Sequence, residues 1–182
     1  MINSHIASSV NGTYPVTLDE ARDILEIVDT RHNSKINMLI AAATSKAENY
    51  TGQYFVSRSV VFNLDRLYSK IKLPIHPITS INSIEYLSEG NFVNLDATEY
   101  ETDVNAFPPF IKILNIPNSD TVTNAIKITA TAGYPTIELI PDDVKQAILF
   151  FVYQSFLNRG NNDDQVDKTF KDMLYSYRYM KL

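Results

Sequence analysis

The chain has 182 residues, no cysteine, 16 Lys and Arg against 21 Asp and Glu, and a formal net charge of −5. These figures exclude thiol nucleophiles, disulfide scaffolds, iron–sulfur clusters and cysteine-ligated zinc, and the acid excess argues against a domain that grips nucleic acid. With 45% hydrophobic and 20% charged residues the composition is that of a globular protein.

Residues 1–13 are polar and rich in Ser and Asn, and read as a loose arm. They lack the positive charge and the apolar core of a signal peptide. The longest apolar run, residues 147–153, is far short of the roughly 20 residues that cross a bilayer. The expectation is a soluble protein made in a cytoplasm, with no membrane partner. The five glycines, Gly12, Gly52, Gly90, Gly133 and Gly160, are scattered. Phosphate-cradling loops need clustered glycines, so neither GxGxxG nor GxxxxGK[ST] can be built, and GxSxG is absent.

Helical period begins after Pro15. Thr17 followed by Glu20 has the spacing of a capping box, and Leu18, Ala21, Ile24, Leu25 and Val28 recur at three- and four-residue steps. Asn33 or Ser34 is placed to cap a second helix with the stripe Ile36, Leu39, Ile40, Ala43, Ala47 and Tyr50. Gly52 is placed to stop it. Residues 14–53 thus form one helical half.

Residues 54–135 read as a β-rich insertion, because the period changes to two. Val60, Phe62 and Leu64 alternate with Ser59, Val61 and Asn63, and Ile71 and Leu73 alternate with Lys70 and Lys72. Further strand-like pieces are 81–87, 92–95, 100–104, 110–114 and 125–131. Prolines 74, 77, 108, 109 and 117 fall between pieces, where a missing amide donor does least damage. Short strands at this spacing predict a small antiparallel sheet or barrel.

Residues 136–182 form the second helical half. A third helix follows Pro141, with Asp142 and Asp143 at the positive end of its dipole, and is expected to stop at Gly160. A fourth follows residues 161–164 with the stripe Val166, Phe170, Met173, Leu174 and Tyr177. The fold class is therefore α+β: a four-helix unit, two helices from each end of the chain, with an antiparallel β-rich insertion between the halves.

No residue pattern points to catalysis, a metal or a cofactor. His5, His32 and His76 lie in different segments without a second ligand at helical spacing. Asp19, Asp23 and Glu26 share one helix face, as a solvated face also requires. Asp163, Asp164 and Asp167 lack the glycine and terminal glutamate of a calcium loop. A ligand-binding or hydrolase reading of the insertion needs a polar pocket, with His76, Glu85 and Asp103 to line it.

Three surface candidates stand out. Val144, Ile148, Phe151, Val152 and Ser155 give the third helix a core face, while Leu149, Phe150, Tyr153 and Leu157 form a second apolar face. Such a helix is covered on more than one side, by the other helices and the sheet or by a neighbouring subunit. Tyr175, Tyr177, Arg178, Tyr179 and Met180 make an aromatic tail of the kind that anchors in partner pockets. Arg66, Lys70 and Lys72, with Tyr68 among them, are a basic patch that suits either DNA or the outward face of an amphipathic edge strand.

Taken together, the segments resemble the head–tail connector (adaptor) proteins of tailed bacteriophages. The resemblance rests on Tyr14-Pro-Val-Thr-Leu-Asp-Glu-Ala21, on Ile36-Asn-Met-Leu-Ile-Ala-Ala-Ala43 continuing to Tyr50-Thr-Gly52, and on Leu73-Pro-Ile-His-Pro77 leading into a strand. Thr131-Ala-Gly-Tyr134, Ile140-Pro-Asp-Asp-Val-Lys-Gln-Ala-Ile-Leu149 and Tyr177-Arg178 complete it. Two stretches depart from the pattern: residues 28–35, usually acidic in relatives, carry Arg31, His32 and Lys35, and the arm before Tyr14 has no counterpart.

The resemblance implies a non-enzymatic structural subunit of the virion. It implies a ring of about twelve copies with heterologous contacts, docked on the portal, extending the DNA channel and joining a neck or tail-completion protein. On that reading Leu149, Phe150, Tyr153 and Leu157 are candidates for the subunit interface and the aromatic tail for portal docking. Arg66, Lys70 and Lys72 are candidates for transient contact with duplex DNA. Another neck or tail component is the alternative.

Overall fold

The computed structural model describes residues 2–8, 12–120, 122–157 and 164–178. It is α+β, with two N-terminal and two C-terminal helices packing together and antiparallel sheets lying between them in sequence. Residues 11–56 and 134–182 form a helical unit, and residues 1–10 and 57–133 a sheet unit.

In the helical unit, α1 (Leu18–Ile24) opens on the expected capping box. Thr17 Oγ1 accepts from the Glu20 amide at 3.2 Å, and Glu20 Oε2 accepts from the Thr17 amide at 2.6 Å. The helix ends earlier than its apolar period suggests. Leu25 caps it and Glu26 turns left-handed with φ 55°. The helical repeat breaks there, so Val28 is 91% exposed and adds nothing to the core. Helix α2 (Asn33–Thr51) starts after His32 without a side-chain cap. It ends at Gly52, whose φ of 70° is the left-handed cap that a residue without Cβ adopts at no steric cost.

Helices α3 (Asp142–Leu157) and α4 (Asp164–Leu174) return to α2. Ile36, Ile40, Ala43 and Ala47 of α2 share one buried cluster with Val144, Ala147, Ile148 and Val152 of α3 and Phe170 and Leu174 of α4. Small residues on both α2 and α3 shorten the distance at which two helices pack. At the rim of this cluster Lys46 joins three helices. Its Nζ lies 4.5 Å over the Phe151 ring of α3 and forms an ion pair with Asp167 of α4. The stop expected at Gly160 lies outside the described residues.

The sheet unit holds a five-stranded sheet of order β1-β2-β8-β4-β5 and a three-stranded sheet of order β3-β7-β6, every pair antiparallel. The larger comprises β1 (Ile2–Ala7), β2 (Arg58–Leu64), β4 (Ile78–Ser88), β5 (Asn91–Asn94) and β8 (Ile126–Ala132). The smaller comprises β3 (Lys70–Lys72), β6 (Tyr100–Asp103) and β7 (Phe110–Ile113). Alternation decides the faces. Ile126, Ile128, Ala130 and Ala132 of β8 are buried beside Val60, Phe62 and Leu64 of β2, while Lys127, Thr129 and Thr131 look the other way. Ile71, Ile111 and Ile113 supply the buried side of the smaller sheet. Glu89 and Gly90, both with positive φ, close the β4–β5 hairpin in the two-residue turn that matches strand twist.

The expected loose arm is corrected in part: Ile2–Ala7 is a strand, antiparallel to β2. Its sequence alternates poorly because one side faces solvent and the other packs little, so the pattern is faint while the ladder is real. Asn3 ties it down through Asp65, whose carboxylate accepts from Asn3 Nδ2 at 2.6 Å and from the Asn124 amide at 2.9 Å. Those hydrogen bonds, that of Asn124 first, hold the Asp65 pKa below the ordinary carboxylate range.

Two outcomes are expected. Phe170→Ala empties a fully buried site and lowers stability by about 3–5 kcal/mol, read as a shifted denaturation midpoint in helical circular dichroism. Asp65→Ala speeds amide hydrogen exchange in residues 2–8 while β8 stays protected. Because the folded-state pKa of Asp65 is depressed, the wild-type tether is present above the carboxylate's unfolded pKa and is lost as pH falls through the folded value. Strong acid therefore reproduces the variant.

Candidate assembly interface

The residues singled out for assembly occupy three places. On α3, Leu149 leans on the helical cluster. Phe150 is half-buried, and Tyr153 and Leu157 are 37% and 54% exposed. Four residues apart, Tyr153 and Leu157 sit one turn above the other on the same side. The second apolar face of α3 is thus divided, its first turn partly covered by the helical unit and its last two members open.

The aromatic tail is divided as well. Tyr175 is 68% exposed. Tyr177 turns back onto the helical cluster, donates from its hydroxyl to Asp143 Oδ2 at 3.1 Å, and its carbonyl accepts from Gln53 Nε2. Desolvation, reinforced by the Asp143 carboxylate, raises the Tyr177 pKa. The Arg178 guanidinium lies 5.7 Å from the Tyr50 ring. Tyr179 and Met180 lie outside the described residues.

The basic patch lies on and before β3. Lys70 and Lys72 are exposed and Ile71 between them is buried. The Lys70 ammonium stands 3.7 Å over the Phe110 ring, and the Arg66 guanidinium 5.1 Å from the Tyr68 ring. Register places these lysines in rows. Lys70 faces Lys112 of β7, which in turn faces Glu101 of β6; Lys72 faces Phe110, which faces Asp103. Lys112 Nζ bridges to Glu101 Oε2 at 3.0 Å, both side chains being more than half exposed. Asp103 Oδ1 accepts from the amides of Asn105 and Ala106. One exposed face therefore carries cations along one edge strand and carboxylates along the other. Sequence reasoning attached no expectation to Glu101 or Lys112. Their alternation with Thr102 and Ile111 was visible, but which strands pair was not.

The remaining chemical candidates are dispersed. Among the described residues no group of three His, Asp or Glu side chains is placed to hold a metal ion. Glu85 pairs with Lys127 at 3.3 Å. His76 lies beside the Phe107 ring at 5.7 Å, and burial lowers its pKa. His32 stacks edge-on to Phe156, with the Lys35 ammonium over the same ring. Asp19 pairs with Arg22 at 3.5 Å, and the left-handed Glu26 lies past the end of α1, so the expected three-carboxylate helix face is not formed. No helix among the described residues is long and apolar enough to cross a membrane.

Solved structures share this fold, among them three chains of gene transfer agent particles. A chain from the neck of an empty gene transfer agent particle, computed with C6 symmetry, superposes with a TM-score of 0.83 at 19% identity over 98% of this chain and 97% of that one. A chain from the virion of a native gene transfer agent particle gives 0.79 at 18% identity over 98% and 96%. A chain from the neck of a native particle, computed with C12 symmetry, gives 0.76 at 21% identity over 100% and 97%. No curated protein matches the sequence. The model of a family described as phage gp6-like head-tail connector proteins matches residues 15–107. That span starts at the residue before the buried Val16, takes in α1 and α2 and runs through β6, which is just over half of the chain. The capping box, the Gly52 stop and the strands that follow are thus those of a structural, non-enzymatic family, and the chain belongs to the phage gp6-like head-tail connector proteins.

Proposed function

We propose that this connector protein works as one subunit of a closed ring at the head–tail junction, docked on the portal, continuing the DNA channel and receiving a neck or tail-completion protein. The observation that carries the reading is the family match combined with a fold shared, over nearly the full length of both chains, with chains from necks computed with C6 and C12 symmetry. A cyclic ring needs two different, mutually complementary patches on each subunit. The exposed pair Tyr153 and Leu157, with Leu149 and Phe150 behind them, supplies one apolar patch. Tyr175 and Arg178, with Tyr179 and Met180 beyond them, are assigned to the portal.

The charge of the chain suits a conduit. At −5 per copy, twelve copies carry about −60, and an acidic wall repels the phosphate backbone so that DNA slides along it.

Native mass spectrometry and negative-stain microscopy test the reading directly. The expected result is a closed ring, formed by the protein alone or on its cognate portal, with weak binding to duplex DNA. A protein that stays monomeric and also ignores the portal overturns it. Tyr175→Ala is expected to weaken portal capture by about tenfold, the effect of losing one interface anchor, with no change in helical circular dichroism.

A further inference from the structure

Charge is sorted across the three-stranded sheet in a way that ordinary edge protection does not explain. Edge strands are often guarded by charged side chains so that no second chain pairs with them. Guarding both edges against every copy of the same chain calls for one sign of charge. Here β3 presents Lys70 and Lys72, and β6, the opposite edge, presents Glu101 and Asp103. The five-stranded sheet shows no such sorting, since its edges, β1 and β5, contain no Lys, Arg, Asp or Glu.

Strand direction adds a second constraint. Both β3 and β6 are antiparallel to β7, so they run in the same direction. Lys70 lies in the row of Glu101, and Lys72 in the row of Asp103. A rotation about an axis roughly along the strands carries one copy onto the next and preserves the order of the rows. It brings Lys70 to Glu101 and Lys72 to Asp103 of the next copy at the same time. A two-fold axis instead sets lysine against lysine, or carboxylate against carboxylate, and like charges opposed across an interface are strongly disfavoured. Among the described residues neither Lys70 nor Lys72 forms an ion pair within its own subunit, and Glu101 remains 62% exposed in its bridge to Lys112.

We infer that the basic β3 edge of one subunit docks against the acidic β6 edge of the next, a second copy of this chain, and that this charge polarity makes assembly head-to-tail. The inference rests on the ring reading above and adds a charged contact between neighbouring subunits to the apolar patch of α3. It also assigns Lys70 and Lys72 to a subunit contact in place of DNA.

The test uses the full chain, alone or with the portal, under the condition in which the wild type closes its ring. Lys70→Glu with Lys72→Glu makes both edges acidic; Glu101→Lys with Asp103→Lys makes both basic. Each variant is expected to need about tenfold or more protein to assemble, with unchanged circular dichroism. Mixed in equal amounts, the two are expected to form rings again, and only rings with an even number of subunits, because the variants must alternate. All four substitutions in one chain restore a ring of a single species. Added salt weakens the wild-type contact, because these charges are exposed. If either double variant closes rings as readily as the wild type, the inference fails while the ring reading stands. It fails in the same way if the lysine variant assembles normally and loses only its binding to duplex DNA. A wild type that assembles under no condition ends both.

Discussion

The helical core is built from both ends of the chain, and that constraint organises everything else. Ile36 and Ile40 come from before residues 57–133 of the sheet unit, and Val144, Ile148 and Phe170 from after them. None of these side chains leaves water unless residues 57–133 return the chain to where it left. The entropy of closing such a loop rises only as the logarithm of its length, so a long excursion costs little more than a short one. The excursion is a compact unit in itself, with Phe62, Ile111 and Ile128 fully buried, so it contributes stability of its own.

This arrangement frees the surface for contacts. Among the described residues few polar side chains are buried, and Thr44 and Thr51 satisfy their hydroxyls on carbonyls of their own helix. The chemistry of the molecule is at its exterior: an open turn of α3, an exposed Tyr175, and a small sheet with opposite charges on its two edges. For a structural connector, function is a matter of which exterior patches complement one another. Exposed charges suit that task, because they contribute modest affinity while discriminating strongly between right and wrong orientations.

The outward lysines of β3 show how one residue pattern carries two meanings. Lys70-Ile71-Lys72 is an amphipathic strand whichever partner it meets, and its period says only that the lysines share a face. What distinguishes a DNA contact from a subunit contact is the company those lysines keep across the sheet. Phe110 beneath Lys70, and the carboxylates two strands away, define that company.

Local rules made the helices legible from the amino acids alone. The hydroxyl and carboxylate of Thr17 and Glu20, the left-handed Gly52, and apolar steps of three and four act within a few residues of one another. Alternation likewise marked β2 and β3, because it records which face is dry. Tertiary structure decided the rest. That Ile2–Ala7 would become an edge strand depends on the free side of β2, more than fifty residues away. That α1 would stop before Val28 depends on the left-handed turn at Glu26, and that Tyr177 would fold back depends on where Asp143 stands. The shared row of Lys70 and Glu101 depends on β7 lying between them. A period of two tells a strand which way its side chains point but not which strand lies beside it, since backbone hydrogen bonds are the same for every partner. Register is chosen only when distant segments compete for one another.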